Sequence, residues 1–126
     1  MINGISIIIS SPSGAGKTSV TKKLLKKIKN SHLSISCTTR KPRDGEINGK
    51  DYFFISKKKF LNLKKNKKFL EHAKVYENFY GTLNSQVKAN LKNNSIVLFD
   101  VDWQGAKSIK KKIKKIVIHF FCYHRV

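Results

Sequence analysis

The residues best suited to chemistry lie in three short stretches. At 11–18 the chain reads SPSGAGKT. Successive backbone N–H groups from Ser13 through Gly14, Ala15, Gly16 and Lys17 to Thr18 can curl round a phosphate, and the two glycines let the main chain come close. Lys17 can reach terminal phosphate oxygens, the Thr18 hydroxyl can ligand Mg2+, and Ser19 completes the stretch. The usual pattern for such a loop starts with glycine; here Ser11 stands first, small enough to keep the turn. At 36–46 the chain reads SCTTRKPRDGE. Arg40 and Arg43 supply two planar forks suited to a bidentate grip on a phosphate dianion. They are two of only three arginines among 27 basic residues, the third being Arg125, so a lysine-rich chain has kept arginine where planar geometry counts. At 95–100 the run SIVLFD ends an apolar segment in Asp100, where an aspartate beside a phosphate can hold the water shell of Mg2+.

These side chains need a frame. Residues 5–10 (ISIIIS) form a continuous run rich in β-branched types, the pattern of a strand buried on both faces. A helix is predicted over 18–29, with Val20, Leu24, Leu25 and Ile28 on one face and lysines opposite. Strand, glycine loop and helix together put the positive helix end where a phosphate would sit. Residues 33–38 alternate like a half-buried strand, and 39–50, with Pro42, Gly45 and Gly49, read as loop. A strand follows at 51–56, a short amphipathic helix at 57–66, a strand or two over 69–77, and a helix at 84–91. Apolar strands at 95–99 and 116–121 flank a helix at 104–112. Apolar strands alternating with helices imply a parallel α/β sheet. The polar, turn-rich middle reads as an insertion with its own small sheet.

The length of 126 residues suits one domain with a modest insertion, and 40 % hydrophobic residues suffice for one core. No apolar run approaches the roughly 20 residues of a membrane span. The N-terminal MINGISIII lacks a basic leader and runs into a polar loop, so it reads as a buried strand; the expected compartment is the cytoplasm, with no membrane partner. The net charge of +20 has two readings. One is attraction to polyanions. The other is codon composition, since Lys, Asn and Ile are the amino acids of A/T-rich codons. With no nucleic-acid motif in the chain, no specific nucleic-acid partner is expected. Cys37 and Cys122 are too far apart in sequence for a metal knuckle and read as small buried hydrophobes. His32, His72, His119 and His124 show no ligand spacing, and Trp103 reads as packing.

Taken in order, the motifs resemble those of the guanylate kinase family. Its hallmark is a serine, then TTR-x-PR-x-GE, then NGxDY; here these stand at 36, 38–46 and 48–52. FLE at 69–71 followed by YGT at 80–82 resembles the family's second GMP-binding segment, and DVDWQG at 100–105 its D-[IV]-D-x-Q-G. The resemblance implies a three-layer α/β core of the P-loop NTPase type with a parallel sheet over 1–32 and 83–126. Into it is inserted a β-rich GMP-binding subdomain over 33–82. It implies phosphoryl transfer from ATP to GMP, with Mg2+ held by Thr18 and, through water, Asp100. Lys17, Arg40, Arg43 and Asp100 would act in catalysis. Arg40, Arg43, Tyr52 and Tyr80 would grip the monophosphate. Guanine offers N1–H and N2 donors beside the O6 acceptor. By resemblance Glu71 answers the donors, Ser36 and Thr82 are the hydroxyl partners, and Asp102 adds a polar contact.

After the third apolar strand the family continues with an arginine-bearing lid, a final core strand and a C-terminal helix. This chain ends in CYHRV, so lid and last strand are expected to be missing and the rate correspondingly reduced. The competing class, a non-catalytic guanylate-kinase-like binding module, is disfavoured because Lys17 and the GMP-binding set are both present.

Overall fold

In the computed structural model the chain forms, in order, β1 (Ile5–Ser10), α1 (Lys17–Lys27), β2 (Ser31–Leu33), β3 (Cys37–Thr38), β4 (Phe53–Phe54), α2 (Lys57–Lys65), β5 (Phe69–Val75), β6 (Asn78–Leu83), α3 (Asn84–Lys92), β7 (Ile96–Val101), α4 (Trp103–Lys112) and β8 (Val117–Phe121). The structure describes residues 4–10, 17–92, 95–101, 103–113 and 117–121, with backbone alone at 17–19, 92 and 117–121. Two compact units result: Met1–Ser34 with Gln86–Val126, and Ile35–Ser85.

The first unit is built on a parallel sheet of strand order β2-β7-β1-β8. Parallel strands need helical crossovers, and helices on the faces leave no side of a central strand for polar residues. That is why β1 is built mainly of isoleucine, with Ser6 and Ser10 buried beside them. On one face Ile7, Ile9 and Leu98 pack with Leu24 and Leu25 of α1, with Ile28 just past its end, and with Leu33. Alternation puts Ile8, Val97 and Phe99 on the other face, all essentially inaccessible. α4 lies against β1 and β7 and buries Gly105, Ala106 and Ile109. α1 ends two residues earlier than its apolar pattern suggests, and the chain then passes through Asn30 in the left-handed region at φ 58, a usual way to leave a helix. The fold class read from the sequence, a parallel-sheet α/β core, is the one the chain adopts.

The second unit is a smaller sheet of order β4-β3-β6-β5, in which β3, β6 and β5 run antiparallel and β3 pairs with β4 in parallel. α2 starts at Ser56, whose hydroxyl accepts the Lys59 N–H at 3.1 Å. Its Phe60 is fully buried in an aromatic core with Cys37, Phe69, Phe53 and Phe79. The Phe60 ring lies 4.6 Å from that of Phe69 and 5.3 Å from that of Phe79.

The alternating stretch 33–38 is not one strand. Leu33 ends β2 in the first sheet, with the next N–H, of Ser34, donated to Leu98 O at 2.9 Å. Cys37 opens β3 in the second sheet. The alternation is real in both pieces, and it conceals the change of sheet between them. Trp103, expected to pack, is 60 % exposed at the first residue of α4. Cys37 is buried as expected; Cys122 lies outside the described residues.

Candidate functional site

The strand and the helix expected to flank the phosphate loop are present: β1 stops at Ser10 and α1 begins at Lys17. Ser13, Gly14, Ala15 and Gly16 lie outside the described residues, as does Asp102. Lys17, Thr18 and Ser19 form the first turn of α1, which carries no acidic residue to compete for an anion. N–H groups of a first helical turn have no intrahelical partner, so they and the helix dipole face the loop. Asp100, near the end of β7, stands in register with Ile9 of β1, one residue before the loop-bearing end of that strand. A carboxylate and the hydroxyl at 18 are hard oxygen donors of the kind Mg2+ takes alongside substrate phosphates. Among the described residues no cluster of three His, Cys, Asp or Glu offers an all-protein metal cage.

The other assigned residues gather on one face of the second sheet. Partners in its antiparallel register point to the same side. Thr38 opposes Tyr80, and Glu71 opposes Thr82. Ser36 immediately precedes β3. On the reverse side lie Cys37, Phe69 and the aromatic core. A β-bulge between Phe69 and Glu71 makes this division possible. Without it, residues two apart would share a face; with it, Phe69 enters the core and Glu71 joins the polar side. Gly81 is forced by the same packing. A Cβ there would meet the Phe69 ring at 2.8 Å.

Glu71 and Thr82 are both buried, and the Thr82 hydroxyl donates to Glu71 Oε1 at 2.7 Å. A buried carboxylate braced by a hydroxyl can answer two adjacent N–H donors of a flat base. Ser36 anchors the strand beside them, its carbonyl accepting the Phe53 N–H at 2.9 Å.

The cationic half is held just as firmly. Buried Thr38 donates its hydroxyl to Phe79 O at 2.9 Å and accepts the Arg40 N–H at 3.2 Å. Thr39 accepts the Phe79 N–H at 2.9 Å. The two threonines therefore zip the start of the loop onto β6. The Arg40 guanidinium sits 5.3 Å from the Tyr52 ring and 6.0 Å from that of Phe54, while Tyr52 and Tyr80 meet edge to face at 6.0 Å. Arg40 is forked by Glu46: Nη1 donates to Oε1 at 2.9 Å and Nη2 to Oε2 at 3.0 Å. At 13 % and 21 % side-chain exposure this is a partly desolvated, bidentate pair and not a loose surface contact. The Arg43 N–H also donates to Glu46 Oε1, at 2.7 Å. These bonds, the Arg40 fork first, hold the Glu46 carboxyl down at about 2 from its ordinary 4.5. The fork in turn raises Arg40 further above the usual arginine range.

The structure thus brings Ser36, Arg40, Tyr52, Glu71, Tyr80 and Thr82 onto one small sheet and its leading loop, with Arg43 exposed at the loop's turn. Reading the residues alone gave no role to Glu46, Thr38 or Thr39. Their position inside the TTR-x-PR-x-GE stretch was the only signal; their bonds depend on strand pairing and on the turn at 43–46.

A family model described as guanylate kinase matches residues 4–124. A guanylate kinase of Rickettsia felis is 55 % identical over 117 residues, covering 93 % of this chain and 61 % of that protein. One from Wolbachia pipientis wMel is 50 % identical over 118 residues, covering 94 % and 59 %. The crystal structure of guanylate kinase from Anaplasma phagocytophilum superposes with a TM-score of 0.80 at 36 % identity, over 96 % of this chain and 60 % of that one. The chain spans about three-fifths of the length of the relatives it matches.

Proposed function

The chain belongs to the guanylate kinase family, and from that premise we propose that it binds GMP on the polar face of its second sheet and transfers to it the terminal phosphoryl of ATP. The observation that carries this reading is the pairing, on one face, of a buried Glu71–Thr82 carboxylate–hydroxyl unit with the Arg40, Tyr52 and Tyr80 group. A guanine base and a phosphate dianion are the two halves of GMP, and the site offers each its complement.

In this proposal Glu71 accepts from guanine N1–H and N2–H, with Ser36, Thr82 and Asp102 as polar partners. Adenine would set its N1 acceptor against the carboxylate, and a buried group left unpaired in this way discriminates strongly. Arg40 and Arg43, helped by the hydroxyls of Tyr52 and Tyr80, hold the phosphate. A GMP phosphate oxygen attacks the γ-phosphorus of ATP in line. The bond from that phosphorus to the β–γ bridging oxygen breaks, and ADP leaves with that oxygen. No covalent enzyme intermediate is needed, because positioning and charge stabilisation carry the reaction. The N–H groups of residues 13–19 and the Lys17 ammonium hold the triphosphate. Thr18 and Asp100 would hold Mg2+, which would supply charge neutralisation to the phosphates. GDP production places the chain in purine nucleotide metabolism, with the cytoplasm as its compartment. No helix among the described residues is long and apolar enough to cross a membrane.

The test is a calorimetric titration of GMP and AMP into the 126-residue chain, with GDP formation assayed in the same sample with ATP and Mg2+. Selective GMP binding with turnover supports the full proposal. GMP binding without turnover refutes the kinase activity of this chain and leaves the binding site standing. A folded sample with no preference for GMP over AMP refutes the base-reading assignment.

A further inference from the structure

We propose that Glu46 is a positioning residue that fixes the Arg40 guanidinium and the Arg43 main chain for the monophosphate. This rests on the GMP reading above.

A guanidinium has five N–H donors in a fixed plane. On Arg40, Nη1 spends both of its hydrogens, one on Glu46 Oε1 at 2.9 Å and one on Lys41 O at 3.0 Å. Nη2 gives one hydrogen to Glu46 Oε2 at 3.0 Å. The two donors beyond these bonds, Nε–H and the second Nη2–H, lie side by side on one edge. With the Tyr80 hydroxyl accepting from one of them, the other is left for a phosphate oxygen. The nearby Tyr52 ring limits how the guanidinium plane can turn.

The second half of the argument is the turn at 43–46. The Glu46 N–H donates to Arg43 O at 3.0 Å, and Glu46 Oε1 accepts the Arg43 N–H at 2.7 Å. Gly45, at φ +84, takes the third position, where a turn of this kind requires positive φ. One carboxylate is therefore tied to the Arg40 guanidinium and to the Arg43 main chain. Long cationic side chains lose rotamer freedom when they close on a ligand. Glu46 removes that loss for Arg40 before the ligand arrives.

A carboxylate beside a phosphate also repels it, so the opposite role is conceivable: Glu46 as an occupant that phosphate must displace. The two roles predict opposite signs. Glu46→Gln keeps the size and one accepting oxygen but cannot receive both arms of the Arg40 fork. Wild type and E46Q, as the full chain, are titrated with GMP and with guanosine and followed by NMR chemical shifts, which read weak binding. If Glu46 positions the arginines, E46Q weakens GMP binding by about tenfold or more, the scale expected for degrading a charge-assisted contact. Guanosine affinity stays unchanged, because guanosine lacks the phosphate. General damage to the fold would weaken both ligands alike. Unchanged or tighter GMP binding, or equal losses for both ligands, overturns the role of Glu46 and leaves the GMP reading intact. Wild type that binds no GMP overturns both.

Discussion

Exchanging Glu71 for Gln is the sharpest perturbation of the proposed base site. In the structure the Thr82 hydroxyl donates to Glu71 Oε1 at 2.7 Å, with both residues buried. A glutamine can keep an oxygen toward Thr82, which leaves its NH2 where the second carboxylate oxygen stood. Guanine presents donors there, so donor meets donor. Hydrogen bonds to charged groups contribute about 1.5–3 kcal/mol each; losing one and weakening its neighbour amounts to about 3–4 kcal/mol, or roughly 100- to 1,000-fold in Kd. Adenine has the reverse pattern, an acceptor at N1 and an amine at C6, which a carboxamide can match. E71Q is therefore expected to lose most of its affinity for GMP and to gain for AMP. The assay is calorimetric titration of both monophosphates into wild type and E71Q, with thermal unfolding recorded for each. Because the Thr82 bond survives, the unfolding midpoint should move by only about 1–2 °C. GMP affinity of E71Q within about threefold of wild type would refute the reasoning, since a fully engaged carboxylate cannot be replaced so cheaply.

Two further outcomes follow from particular contacts. Gly81→Ala places a methyl 2.8 Å from the Phe69 ring and should destabilise the chain by about 1–3 kcal/mol, the usual cost of overpacking; an unchanged urea midpoint would show that Phe69 can shift freely. The carboxyl of Glu46 is held at about 2 against 4.5, so the folded chain keeps it ionised where the unfolded chain takes up a proton. Its contribution is present above about pH 4.5 and is lost as pH falls toward 2, so the gap in thermal midpoint between wild type and E46Q should close over that window; a constant gap would contradict it.

Much of the fold was legible because the signals are local. A β-branched apolar run and an amphipathic stretch announce β1 and α1 without outside help. Apolar strands alternating with helices likewise imply the parallel sheet. The types and order of Arg40, Arg43, Tyr52, Glu71 and Tyr80 pointed to a nucleotide before any coordinates. What was not legible depends on pairing between distant residues. β6 escaped as a separate strand, because Gly81 interrupts the strand-forming Phe79, Tyr80 and Thr82. Residues 33–38 read as one strand because the alternation continues across a change of sheet.

The sequence by itself marked residues whose chemistry suits a phosphate, and the family resemblance added those suited to guanine, since composition and motif order act over a few residues; the strand that carries Tyr80 and Thr82 it did not show. Tertiary structure alone decided which of them face one another. The bulge between Phe69 and Glu71 sends one into the core and the other to the polar face, a parity change no alternating pattern can announce. The turn at 43–46 folds Glu46 back onto two arginines, and register brings Thr82 to Glu71. Pairing register is settled by the burial of a whole face, and that energy exists only once the sheet has formed.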